Sequence, residues 1–247
     1  MTKPNDPIID AALASVEFKR SSMAAKLNWL RAGVLGANDG IMSTSGLVLG
    51  VAASPGVTSA TILIAGVAAV VAGSISMAGG EYTSVSAQKD SEKAALEVER
   101  QELADNPEGE LRELAWFYEQ KGISPKLAIK VAEELTTKDA LKAHAEAELG
   151  IDSEHHVSPM QAALSSFVAF AIGGMLPLLA VSGPWTPYRI QATVGAVVAA
   201  LILTGYVGAK IGGAKSGRGI LRNLIVSLMT MGITYLIGHL VGTNIAG

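Results

Sequence analysis

Cysteine is absent from the chain of 247 residues. That excludes disulfides and thiolate metal sites, and leaves oxygen, imidazole and thioether groups for any metal chemistry. The segment from Met1 to about Arg20 is polar and lacks the apolar core of a signal peptide, so no cleavage is expected there. Charge is missing over long stretches. From Gly40 to Gly80 there is no acidic, basic or histidine side chain, and Asp39 and Glu81 bracket that silence. After Val157 the only charged residues are Arg189 and the basic group Lys210, Lys215, Arg218 and Arg222.

What is present is apolar surface in blocks. The chain is 49% hydrophobic with a net charge of −3, and its mean hydropathy is positive. Between Gln88 and His156 lies a highly charged segment. This alternation points to an integral membrane protein with an inserted soluble module rather than a globular protein with one core. The division read from it is 1–31, an N-terminal segment; 32–86, a membrane hairpin; 87–157, an acidic helical domain; and 158–247, further spans.

Five spans are expected, at about 32–53, 59–84, 160–182, 190–210 and 221–243, each long enough to cross a bilayer core. Ser54-Pro55-Gly56 supplies the turn of the first hairpin. Lys19, Arg20, Lys26 and Arg31 precede the first span, and four basic residues occupy 210–222. Basic residues accumulate on the cytoplasmic side of membrane proteins. The N-terminus, the acidic domain and the 210–222 turn are therefore expected inside, and the C-terminus outside. Residues 8–27 read either as an amphipathic helix on the inner membrane surface or as a frayed tail with a short helix. Gly36 and Gly40, Gly46 and Gly50, and Gly208 and Gly212 are each four apart, the spacing that lets membrane helices approach closely. Pro177 is expected to kink the third span.

The charged module reads as all-α. No breaker separates Val85 from the second span, so one helix is expected to run on to about Asp105. Asn106-Pro107 ends it, and Pro107 opens the next at the favoured first position. Gly122 stops that helix. Ser124-Pro125 starts a third that runs to about Leu135, and Thr137-Lys138-Asp139 leads into a fourth ending at Leu149-Gly150.

Glu99 and Glu102 are three apart on the first of these helices, and Glu110 and Glu113 are three apart on the second. Each pair shares a helix face, and the Asn106-Pro107 turn would let both pairs meet. Converging carboxylates repel one another unless a cation sits between them. His144 and Glu148, four apart, share a face of the last helix. Carboxylates with imidazole suit Mn²⁺, Fe²⁺, Co²⁺ or Zn²⁺ better than Cu⁺. The alternative left open by spacing is a solvated acidic surface. In the hairpin, Met77 and Glu81 are four apart on one face, and Asp39 lies at a depth near residues 73–77. Asp39, Met77 and Glu81 could line a path, since carboxylates within a membrane usually face a pathway or a partner. Simple packing is the other reading for Met77, a local hydrogen bond for Asp39 and for His239. Di-iron oxidases use Glu-x-x-His pairs on facing helices, and no histidine here has Glu three residues before it. A Walker-type nucleotide loop is missing too.

Several of these motifs resemble those of the vacuolar iron transporter family. Asn38-Asp39-Gly40-Ile41-Met42-Ser43-Thr44 resembles its first-span motif. Ser76-Met77-Ala78-Gly79-Gly80-Glu81-Tyr82-Thr83-Ser84 is similar to its second. The run of Glu-x-x-Glu, Asn-Pro, Glu-x-x-Glu-Leu and Tyr-x-x-Lys-Gly across 99–122, with Glu148-Leu149-Gly150, resembles its cytoplasmic metal-binding domain. The similarity covers roughly 27–245. It implies five spans, a homodimer and proton-coupled export of Fe²⁺ from the cytoplasm, with Mn²⁺ tolerated. It also implies Asp39 and Met77 on the translocation path, and Glu99, Glu102, Glu110, Glu113 and Glu148 as metal ligands. Where the family has Met and Glu on the last cytoplasmic helix, this chain has His144 and Ala145.

The expectation is therefore an all-α polytopic membrane protein acting as a secondary transporter, not an enzyme. A membrane-anchored metal buffer or sensor is the alternative. Its partners would be divalent metal ions, protons, the bilayer and a second copy, with no nucleic acid and no permanently bound cofactor. A prokaryotic plasma membrane is the expected location.

Overall fold

A computed structural model describes the backbone of residues 7–151, 158–213 and 215–246. Side chains within those ranges are described from residue 29 onward, apart from Thr186 and residues 245–246. The described residues are helical and contain no strand. In chain order the helices are α1 (Pro7–Ala52), α2 (Ser59–Asp105), α3 (Pro107–Gln120), α4 (Pro125–His144), α5 (Pro159–Ser182), α6 (Arg189–Ile211) and α7 (Ser216–Ala246). A π-helical turn, Ala145–Leu149, follows α4, and a 3₁₀ turn, Thr186–Tyr188, precedes α6. Two compact units result: Met1–Thr83 with Pro159–Gly247, and Ser84–Ser158.

The first unit is organised around α1, which packs along α5 and also touches α6 and α7. One apolar cluster joins Ile41 and Leu49 of α1 to Val197 and Leu201 of α6 and Met231 of α7. A second joins Val48 to Ile62 and Val70 of α2 and to Leu178 and Val181 of α5. Of the spaced glycines, Gly36, Gly40, Gly46, Gly50 and Gly208 sit where helices meet, whereas Gly212 has only its own helix within reach. A Cβ on Gly36 would come within 2.7 Å of the Ser166 carbonyl oxygen, and one on Gly40 within 2.9 Å of the Gly174 amide nitrogen. Gly46 and Gly50 bring α1 against α7 less tightly, where a Cβ would come within 3.1 Å of Thr230 and 3.0 Å of Thr234. Because the obstacles at Gly40 are backbone atoms, no rotamer change relieves them. Gly40→Ala should therefore destabilise this unit by roughly 1–3 kcal/mol, as overpacked cores do, and a lower melting temperature in detergent is the check.

Among the described residues, four helices are long and apolar enough to cross a membrane: α2, α5, α6 and α7. The first expected span lies in α1, which is not one of them, because Asn38, Asp39, Ser43, Thr44 and Ser45 dilute its apolar run. α5 runs through Pro177 without a break. Residues 8–27 are helical, but their expected amphipathic face lies outside the described side chains.

The second unit takes its boundaries from local chemistry. Asn106 caps α3 by accepting a hydrogen bond from the Gly109 amide at 3.1 Å, with Pro107 next to it. Gly122, at φ 92°, turns the chain out of α3 in the left-handed region where glycine carries no steric penalty. α4 is two helices joined at Asp139, whose backbone is extended (φ −165°, ψ 96°) and whose carboxylate accepts from the Lys142 amide. Asp139 is thus the cap of the last helix, and the preceding helix runs past the expected stop at Leu135. The core here is small-residue packing: Leu114 and Ala115 of α3 against Ala128, Ala132 and Ala143 of α4. Alanine lets these helices lie close and fixes which face of each turns inward.

Candidate metal site and membrane cavity

In the second unit that packing buries ionisable groups together. Leu96 and Leu103 flank Glu99 on one face of α2, so the carboxylate is drawn inward with them and its side chain is only 3% exposed. Glu110 lies one turn before buried Leu114 and is 12% exposed. His144, at the end of α4, is fully buried. The π turn that follows is closed by Gly150 at φ 64° and a hydrogen bond from the Ile151 amide to the Ala145 carbonyl. It carries Glu148, which is more open than the other acids.

These side chains converge on one imidazole. His144 Nδ1 is 2.9 Å from Glu99 Oε1 and 3.7 Å from both Glu110 Oε2 and Glu148 Oε2. The 2.9 Å contact has the length of a hydrogen bond without its direction: Glu99 Oε1 and both ring nitrogens are buried and make none. Ligand atoms of Glu99, His144 and Glu148 lie within 4.8 Å of one another. Donors across a single ion with bonds of ~2.1 Å stand about 4.2 Å apart, so the set is close to the spacing a divalent transition metal needs.

Glu102 and Glu113 do not join the inner group. Both are exposed, because a three-residue step leaves the members of a pair at different bearings and only one of each faces the cleft. They still act through their charge. Burial pushes the Glu99 carboxyl up to about 7, with Glu148, Glu110, Glu102 and Glu113 adding repulsion. Burial also raises Glu110; Glu113 repels it further and His144 partly offsets this.

The sign of the consequence is fixed. Glu99 binds its proton more tightly folded than unfolded, so its contribution to stability is full below about 4.5 and is lost as pH rises through about 7. Metal-free protein should accordingly melt at a higher temperature at pH 5.5 than at pH 8. Glu99→Gln should shrink that difference, which calorimetry in detergent would measure.

In the first unit, Asp39, Met77 and Glu81 line one cavity of about 560 Å³ between α1, α2 and α5. Among the described residues Asp39 and Glu81 are its only ionisable lining groups; Leu35, Leu47 and Phe170 make much of the rest. Asp39 and Met77 are each partly buried. Glu81 is 13% exposed and lies 3.7 Å from the Arg31 guanidinium. That ion pair was not read from the sequence. Neither were Ala69, Gly73 and Gly80, although their helical spacing makes a small-residue stripe that leaves the space open. His239 is exposed on α7 and belongs to neither group.

The sequence model of the VIT family matches residues 30–239, a range that takes in both groups of side chains. The chain belongs to the VIT family. It is 46% identical over 225 residues to a protein of Acanthamoeba castellanii named vacuolar iron transporter, covering 90% of this chain and 82% of that one. It is 34% identical to vacuolar iron transporter homolog 5 of Oryza sativa, covering 92% and 87% of the two chains. Vacuolar iron transporter homolog 3 of Arabidopsis thaliana is also 34% identical, over 92% and 90%. Membership of this family, with four helices able to cross a bilayer, makes the chain an integral membrane protein.

Proposed function

We propose that this VIT-family protein is a proton-coupled secondary transporter that exports divalent transition metal, Fe²⁺ foremost and Mn²⁺ with it, from the cytoplasm. The observation that carries the reading is the convergence of Glu99, Glu110 and Glu148 on buried His144, whose ring nitrogens make no hydrogen bond. Three acids around an imidazole repel one another, and a divalent ion resolves that repulsion. Relatives named as vacuolar iron transporters favour iron as that ion.

In this reading Glu99, Glu110, His144 and Glu148 capture the metal, while Glu102 and Glu113 raise its local concentration through their charge. Asp39, Met77 and Glu81 carry it through the membrane. Metal binding displaces protons from its ligands, so a carboxylate on the path that alternates between proton and metal couples the two flows. Five spans complete the topology, with α1 supplying the first around its polar residues. The N-terminus and the 87–157 domain lie in the cytoplasm and the C-terminus outside. Two copies form the working unit in a prokaryotic plasma membrane, and no chemistry is catalysed.

Proteoliposomes holding the purified protein and a pH gradient test this directly. Fe²⁺ and Mn²⁺ should accumulate in the vesicles only while the gradient lasts. Tight metal binding with no movement into the vesicles would replace the transporter by a membrane-anchored buffer or sensor.

A further inference from the structure

The first unit holds another cavity, of about 670 Å³, between α1, α6 and α7. Its chemistry is the opposite of the one beside Asp39. Lys215, Arg218 and Arg222 line it together with the amides of Asn38 and Asn223. Arg218 and Arg222 are four apart and share a face of α7, and Lys215 lies just before the first turn of that helix. On the α6 side the wall is made by Thr204, Gly205, Gly208 and Ala209, all small residues that leave the space open.

Nothing among the described residues neutralises the three cations. Among the described residues none of them makes an ion pair or a side-chain hydrogen bond. No acidic residue among the described ones lines the cavity, and none follows Glu154 in the sequence. The positive end of the dipole of α7, a helix of 31 residues, lies at the same end as Lys215 and Arg218. The preference for basic residues on one side of a membrane explains their presence in this turn. It does not require them to converge on a cavity that an amide from a different helix completes.

We propose that this cavity binds a phosphate group, with Arg218 and Arg222 as its principal ligands and Lys215, Asn38 and Asn223 completing the shell. Guanidinium pairs suit phosphate because their donors match its oxygens in twos. The volume leaves room for a substituent on the phosphate. Two sources share this chemistry: the headgroup of an anionic phospholipid, whose chains could lie against exposed Leu221 and Ile225, or a free phosphate anion from the water. Basic pockets between spanning helices are common places for the first.

The test uses full-length protein stripped of lipid in a nonionic detergent. Titration calorimetry with dihexanoyl phosphatidylglycerol, dihexanoyl phosphatidylcholine and inorganic phosphate separates the sources. Wild type should bind the glycerol lipid, inorganic phosphate or both, and more weakly as salt is raised. Arg218→Gln/Arg222→Gln should weaken that binding about tenfold or more, and Lys215→Gln by a smaller factor. Lys210→Gln, which removes a cation outside the cavity, should change nothing, and equal melting temperatures would exclude misfolding. Phosphatidylglycerol binding that inorganic phosphate cannot displace identifies a lipid site, whereas displacement identifies recognition of the phosphate itself. The proposal is overturned if neither anion binds, if phosphatidylcholine binds as well as phosphatidylglycerol, or if the arginine variants bind like wild type.

Discussion

Replacing Asp39 with alanine is expected to reduce gradient-driven metal uptake by at least about 10²-fold, to the level of empty vesicles, while the helical bundle stays intact. The reasoning is electrostatic. A divalent ion entering the apolar cavity of about 560 Å³ loses most of its water, and among the described residues only Asp39 and Glu81 can offer it negative charge there. Glu81 already faces the Arg31 guanidinium at 3.7 Å, which leaves Asp39 as the stronger counter-charge. A factor of 10² is about 2.8 kcal/mol, close to the ~2.5–3.5 kcal/mol that a carboxylate costs at the centre of a membrane helix. The same figure argues that the substitution removes a burden from folding, so the melting temperature should hold or rise. Loss of uptake together with a lower melting temperature would mean that Asp39 serves the fold rather than the path. Retained uptake would remove it from the path altogether.

The second large effect is expected at His144. His144→Leu should weaken divalent metal binding by about 10²-fold or more, since even groups that only support a metal's ligands are worth 10–100-fold. Glu99→Gln should weaken binding comparably, yet move metal-free stability the other way. It removes a carboxyl whose ionisation burial and four neighbouring acids oppose, so the empty protein should become more stable near pH 8. That opposition of signs separates a binding role from a structural one. If His144→Leu left metal affinity unchanged, the cluster would be no more than a packed polar core. Calorimetric titration of Mn²⁺, which avoids aerobic oxidation of the probe, reads both variants.

Much of this arrangement was legible in the residues. Asn106-Pro107, Gly122, Ser124-Pro125 and Gly150 act through local chemistry, so the boundaries they mark were readable. Asp139 was readable as part of a break, but its capping of Lys142 depends on which of three consecutive polar residues leaves the helix. Asp39, Met77 and Glu81 do meet at one cavity, as depth and spacing imply. The inner cluster of Glu99, Glu110, His144 and Glu148 was only half legible. Spacing alone ranks Glu102 with Glu99 and Glu113 with Glu110, while burial takes one of each. The discriminating signal lay in the neighbours: Leu96 and Leu103 put Glu99 on the apolar face, whereas exposed Val98 accompanies Glu102. The role of α1 was harder to read, because the least apolar of the expected spans turns out to be the helix that α5, α6 and α7 share.

The π turn at Ala145–Leu149 was not legible at all, since Ala, Glu and Leu are ordinary helix formers. A wide turn of this kind is equivalent to one surplus residue inside an α-helix. Deleting one of its residues would let the backbone relax to regular α geometry and place Glu148 three residues after His144 instead of four, one rise of about 1.5 Å closer along the axis. The bearing of one donor on another is thus set by chain length rather than by side-chain identity. A single-codon deletion would retune or dismantle the cluster while every glutamate and the histidine remained in the sequence.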